Sequence, residues 1–153
     1  ANLKRWTRRI FFFKPFVVVI HDVLEAPEES TFQWLLHGED EFIIDGDGAL
    51  WEGPNGSVDV HFIHPESLEI TQCREYSTPP AEWANFKLNE AHLSAATTEK
   101  KKKQEFITLL TINDADMEFK HERDDDESTL AIALPDHIVA LKLNAEKFEV
   151  REE

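Results

Sequence analysis

Residues 10–20 read Ile-Phe-Phe-Phe-Lys-Pro-Phe-Val-Val-Val-Ile. Two runs of aromatic and β-branched residues meet at Lys14-Pro15. Such side chains lose χ1 freedom in a helix and pack well on a pleated surface. Neither run alternates with polar residues, which suits strands covered on both faces. The proline ends the first strand, and Val17-Val18-Val19-Ile20 starts the next. This stretch therefore predicts a buried β pair near the start of the chain.

Outward from it, the same grammar repeats. In 31–37, Phe32, Trp34 and Leu36 fall on one face, with Gln33, Leu35 and His37 on the other. Asp45-Gly46 and Asp47-Gly48 are hairpin turn signals. Val58, Val60 and Phe62 alternate with Asp59, His61 and Ile63, and that strand stops at His64-Pro65. Strands are expected over 68–73, 106–112, 130–134 and 138–143, and at Phe148 with Val150. Asp124 to Glu127 reads as a charged turn, and Lys100 to Lys103 as a solvated hairpin rim. Residues 82–96 are ambiguous: Trp83, Phe86, Glu90 and Leu93 have helical spacing, whereas a strand would pair Phe86 with Leu88. The expected fold is all-β, an antiparallel β-sandwich of about ten to thirteen short strands. Residues 1–153 are read as a single β-sandwich domain, with no linker or repeat in sight.

Composition narrows the function. The 153 residues carry 16 Lys and Arg against 31 Asp and Glu, a formal charge of −15. That balance disfavours nucleic acid and anionic membranes, both of which need a basic footprint. No apolar run approaches the roughly 18 residues of a membrane helix. Lys4, Arg5, Arg8 and Arg9 lead into an apolar run too short for a secretory signal. Cys73 is the single cysteine, which excludes an internal disulfide and a Cys-rich zinc site.

The segment from Arg8 to Asp22, Arg-Arg-Ile-Phe-Phe-Phe-Lys-Pro-Phe-Val-Val-Val-Ile-His-Asp, resembles a strand pair in the C-terminal β-sandwich of heparinase II/III-like polysaccharide lyases. Trp34-Leu35-Leu36-His37 sits where the next strand of that family carries an aromatic and a His. Val60 to Pro65 is similar to its strand end. Pro79-Pro80 precedes what would be a long antiparallel pair, with Phe106 to Leu110 as its second member. The similarity spans roughly residues 5–113 and is a pattern of strand types, without a catalytic fingerprint.

The resemblance implies a parent enzyme with an α/α toroid, cleaving uronic-acid-containing polysaccharide by β-elimination. The family's "H-x-H-x-D" and "H-N-T" segments are not in this chain. The chain is thus expected to be an accessory piece from the C-terminal end of a larger lyase, non-catalytic and without cofactor. Its expected partners are its own N-terminal catalytic domains and an acidic polysaccharide. A periplasmic or secreted location would follow. The alternative is a stand-alone carbohydrate-binding module using exposed Trp residues.

Each candidate site residue also has a plainer structural role. Trp6, Trp34, Trp51 and Trp83 are the possible sugar-stacking set, and Trp51, beside Gly53-Pro54-Asn55-Gly56, is expected to be the most exposed. Arg74 could pair with a uronate carboxylate. His37 ends a strand beside the acidic loop Glu39-Asp40-Glu41 and could face the missing domains. Trp51, Arg74, Trp34 and His37 are therefore the candidate substrate contacts. No metal site is expected. His61 and His64, three apart on a strand, should point to opposite faces. His21 and Asp22, adjacent on a strand, should face apart and not form a relay. Asp45 to Gly48 is too short a ladder of oxygens for a calcium loop. Tyr76, the single Tyr, falls in an expected loop and is read as non-catalytic.

Overall fold

A computed structural model describes residues 3–76, 90–113 and 117–152. Among these the protein is all-β, with thirteen strands in three antiparallel sheets. The chain divides into two compact units, 1–114 and 115–153. No Pro-, Gly- or Ser-rich linker marks that division in the sequence.

The first unit is the sandwich. Its larger sheet contains β1 (Arg5–Phe13), β2 (Val17–Ser30), β4 (Phe42–Asp45), β5 (Gly48–Gly53), β6 (Gly56–His64) and β9 (Lys101–Ile112), in the order β1-β2-β9-β6-β5-β4. The smaller sheet holds β3 (Gln33–Gly38), β8 (Ala91–Thr97) and β7 (Leu68–Cys73), with β8 in the middle. The opening stretch of the sequence is the β1–β2 hairpin, with Phe13 opposite Val17 and a cis peptide at Lys14-Pro15.

The core lies between the two sheets. Phe32, Trp34, Leu93 and Ala95 from the smaller sheet side meet Phe42, Ala49, Val60, Phe62 and Phe106 from the larger. The Trp34 ring stands edge-on to Phe62, with centroids 5.4 Å apart and planes at 82°. That is a favourable arrangement of aromatic quadrupoles. The Gln72 side chain joins the sheets at one side. Its amide nitrogen donates to the Phe42 carbonyl at 2.8 Å, and its oxygen accepts from the Phe42 N–H at 2.9 Å. The amide thus does for edge strand β4 what a neighbouring backbone would do.

β2 and β9 are buried on both faces, as expected for unbroken apolar runs, but β1 is not: it is an edge strand, and Ile10 and Phe12 of its equally unbroken run are 61% and 51% exposed. Val17, Val19 and His21 are fully buried on one face of β2, and Asp22 is 2% exposed on the other. His21 and Asp22 therefore do face apart. His21 is bonded through its two ring nitrogens to Arg9 and Glu105. Asp22 takes both arms of Arg8, at 2.7 and 2.8 Å, and the Trp6 indole N–H at 3.2 Å. The Asp22 hydrogen bonds hold the Arg8 guanidinium above its ordinary pKa.

Three local expectations change. Lys101 to Lys103 open β9, with Lys103 opposite Glu25 of β2, and β8 and β9 lie in different sheets. The lysines are thus not a hairpin rim, and β8 and β9 are not an antiparallel pair. β8 carries small buried residues, Ala91, Ser94 and Ala95, which suit the centre of the smaller sheet. The ladder slips between Phe62 and His64, so His61 pairs with Leu109 and His64 with Ile107. Leu109 and Ile107 share a face of β9, so this bulge puts both histidines on one face of the sheet. Of the ambiguous segment, 91–97 is strand β8, while 82–89, with Trp83 and Phe86, lies outside the described residues. The two Asp-Gly signals make one hairpin, with Asp45 opposite Gly48 and Gly46 at φ 59° in the turn.

The second unit is a meander of β10 (Phe119–Asp124), β11 (Glu127–Ala133), β12 (Ile138–Leu143) and β13 (Phe148–Glu152). Leu130 and Ile132 stand opposite Leu141 and Val139, and all four are fully buried. The charged turn sits between β10 and β11, with Asp125 at φ 48°.

Candidate functional site

The four sequence candidates separate. Trp34 is 4% exposed and belongs to the core, so its ring offers no face to a sugar. Trp51 lies on β5 and is partly buried against the same core. Its ring is flanked by two glycines. A Cβ on Gly38 would stand 2.8 Å from Trp51 Cδ1, and one on Gly53 would fall within the far edge of the ring. Among the described residues Trp6, on edge strand β1, is the most exposed indole at 62%, with the Arg8 guanidinium over its ring at 5.6 Å. The expectation that Trp51 is the most exposed therefore fails: Gly53 marks a turn, but with Gly38 it also leaves the space that the ring fills.

That packing yields a test. Gly53→Ala is expected to destabilise by about 1–3 kcal/mol, the usual cost of overpacking. The ring cannot swing aside toward Gly38, which it already abuts. A thermal melt followed by near-ultraviolet circular dichroism measures it, and an unchanged midpoint would show the ring free to move.

Arg74 follows β7, and its Nε donates to Glu41 Oε1 at 3.1 Å in an exposed pair. Its charge is already matched by a carboxylate of the acidic loop. Surface pairs of this kind contribute little to stability.

His37 is the candidate around which other groups collect. It lies on β3 directly opposite His92 of β8, and the imidazoles stack with centroids 4.4 Å apart and planes 20° from parallel. Directly opposed residues of an antiparallel pair have Cβ atoms about 4.5–5.5 Å apart, so register alone brings the rings together. Glu90 precedes His92 by two positions, the spacing that repeats on one face of an extended chain. Its Oε2 lies 3.9 Å from His37 Nδ1. One ligand atom from each of His37, Glu90 and His92 falls within 4.8 Å of the other two. Tyr76 closes one side. Its ring meets His92 edge-on at 4.4 Å and 72°, and its hydroxyl donates to Glu90 Oε2 at 3.4 Å. Lost solvation first, then the Glu90 charge and hydrogen bond, hold this phenol above its ordinary pKa. Nε2 of His92 is shielded from solvent and has no hydrogen-bond partner among the described residues.

Spacing in the sequence hides this cluster, because 55 positions separate its two histidines. The signal that finds it is pairing. Once β3 and β8 are neighbours, His37 can meet His92 through the register of a single ladder. His61 and His64, which sit closer in sequence, meet no third ligand among the described residues.

Fold and cluster together define an antiparallel β-sandwich with two histidines and a carboxylate gathered at one end of its smaller sheet. No family model matches the chain, and no curated protein matches it at a significant level. No helix among the described residues is long and apolar enough to cross a membrane.

Proposed function

We propose that the chain is a non-catalytic accessory β-sandwich of a polysaccharide lyase, whose parent enzyme cleaves uronic-acid-containing polysaccharide by β-elimination. Its work is to pack on the catalytic domains. The observation that carries this reading is the face of β1. Trp6, Ile10 and Phe12 are 62%, 61% and 51% exposed, and all three stand on one face of an edge strand. Their opposite numbers on β2 are Leu24, Ile20 and Val18, so this face continues the inner face of the larger sheet. Among the described residues, a three-stranded sheet faces a six-stranded one, and the apolar side chains at the β1 edge stay exposed. Exposed apolar side chains grouped in this way, here interrupted only by the Arg8–Asp22 pair on the same face, mark a place where another surface docks. The same strand belongs to the segment that resembles the lyase family.

A second reading, a carbohydrate-binding module, rests on one feature. A hollow of about 330 Å³ beside Trp51 is lined also by Glu39, Asn55, Ser57 and Asn113, an aromatic with polar groups around it. Trp fluorescence during titration with uronic-acid oligosaccharides separates the two readings. Saturable quenching that Trp51→Ala removes favours the module.

The primary test is the gene upstream of the Asn2 codon. Several hundred residues carrying the family's H-x-H-x-D and H-N-T segments are expected there. A reading frame that starts at residue 1 overturns the accessory-domain reading. A further expected result concerns the docking face. Ile10→Asp should leave the stability of this chain within about 0.5 kcal/mol, as exposed substitutions do. In the whole enzyme it should loosen the docked domain, seen as faster limited proteolysis between domains. An unchanged cleavage rate would take β1 out of the interface.

A further inference from the structure

The geometry points to a divalent transition-metal site formed by His37, Glu90 and His92, with zinc as the natural ion. Two imidazoles and one carboxylate are the donor set that zinc takes in three-ligand sites, the fourth position going to water. Hard oxygen-only cations such as calcium and magnesium are disfavoured, because nitrogen supplies two of the three donors.

The distances fit. Zinc bonds of roughly 2.0–2.2 Å in a tetrahedron set ligand atoms about 3.3–3.5 Å apart. The three donors already lie within 4.8 Å of one another, and closure needs a turn of His37 out of its near-parallel stack on His92, so that both ring nitrogens point at one ion. His37 has room to make it, since half its side chain is exposed. The backbone is already in place. Strand register fixes His37 against His92, and two-residue spacing fixes Glu90 beside it. His92 supplies the independent sign of a missing partner. A shielded ring nitrogen without a hydrogen bond costs free energy, and a metal bond removes that cost. Tyr76 stands as an outer partner, bonded to the ligating carboxylate and packed on the ligating ring, the pattern by which metal ligands are oriented. The site would bind β3 to β8 at one end of the smaller sheet.

The experiment uses protein stripped with chelator and dialysed, titrated with zinc chloride by calorimetry and separately with cobalt(II). One zinc per chain is expected. Cobalt(II) should give the visible absorption of a low-coordinate nitrogen–oxygen site. Outer-shell partners alone are worth roughly 10–100-fold in affinity. His37→Ala and Glu90→Gln should therefore each weaken zinc by at least about tenfold, and His61→Gln should not. His37 and Glu90 are both substantially exposed, so these variants keep the fold, and His92→Ala adds a third test. Absence of stoichiometric zinc, or affinity unchanged in both His37→Ala and Glu90→Gln, overturns the site. Neither result bears on the docking role of β1.

Discussion

Trp34→Ala is expected to cost about 3–5 kcal/mol of folding stability, the range for emptying a large aromatic site in a core. The indole is 4% exposed and packed edge-on to Phe62, and Phe32, Leu93 and Phe106 belong to the same buried cluster. β3 is a six-residue strand at the edge of a three-stranded sheet, with few other large buried side chains to hold it. Trp34→Phe should behave quite differently. The indole Nε1 is buried and has no hydrogen-bond partner among the described residues. Phenylalanine removes that unsatisfied donor, a gain of about 1–3 kcal/mol, against the volume it fails to fill. The net loss should stay below about 1.5 kcal/mol, as for conservative core replacements. Urea unfolding of both variants decides it, with the slope of the transition unchanged. A loss under 1 kcal/mol for the alanine variant would place Trp34 outside the core and return it to the sugar-binding set.

The contrast between Trp34 and Trp51 shows what the sequence could and could not say. Trp34 has the period-two pattern of a half-buried strand, Phe32-Trp34-Leu36, and that pattern did mark its face as apolar. What the pattern lacks is the identity of the opposite layer, which comes from strands far along the chain. The all-β class was legible for the same local reason. Aromatic and β-branched runs, turn dipeptides and prolines each act within a few residues, and they agree with one another along the chain. Sheet membership was not legible. β8 and β9 are consecutive yet lie in different sheets, and β9 joins β2 and β6 instead. Nothing within Ala91 to Ile112 specifies that choice.

The candidate site fared in the same way. His37 stood out because it ends a strand beside an acidic loop, but its partners did not. Glu90 reads as one acid in a charged chain, and His92 sits in an alanine-rich stretch. Only the β3–β8 ladder places them together. Strand alternation puts the histidine pair that spacing does bring to notice, His61 and His64, on opposite faces. A one-residue bulge reverses that assignment, and bulges leave no dependable mark in a sequence.

Arg8→Ala is expected to be the second large effect, at about 3 kcal/mol, the lower end of the cost of stranding a buried charge. Asp22 is 2% exposed and keeps, after the change, only the Trp6 indole N–H as its partner among the side-chain bonds that hold it here. Arg8 is more open, with 37% of its side chain accessible. The reverse change, Asp22→Ala, should therefore cost less, because the guanidinium can recover water. That asymmetry distinguishes a desolvated carboxylate from an ordinary surface pair, whose two halves would each be worth under about 1 kcal/mol. The combined change Arg8→Met with Asp22→Leu should restore most of the loss, since well-packed apolar replacements of a buried pair are often neutral. A double-mutant cycle in urea, with Arg8→Ala, Asp22→Ala and both together, isolates the coupling. A coupling near zero would mean that the carboxylate is solvated. The β1–β2 hairpin would then rest on its backbone ladder, on the apolar pairs Ile10–Ile20 and Phe12–Val18, and on the Arg9–His21 and Lys4–Glu25 contacts. A coupling of about 2 kcal/mol or more would make the pair a fixed point of edge strand β1. The same strand carries Trp6, Ile10 and Phe12 on its open face, so the carboxylate that anchors Arg8 also holds the proposed docking surface in place.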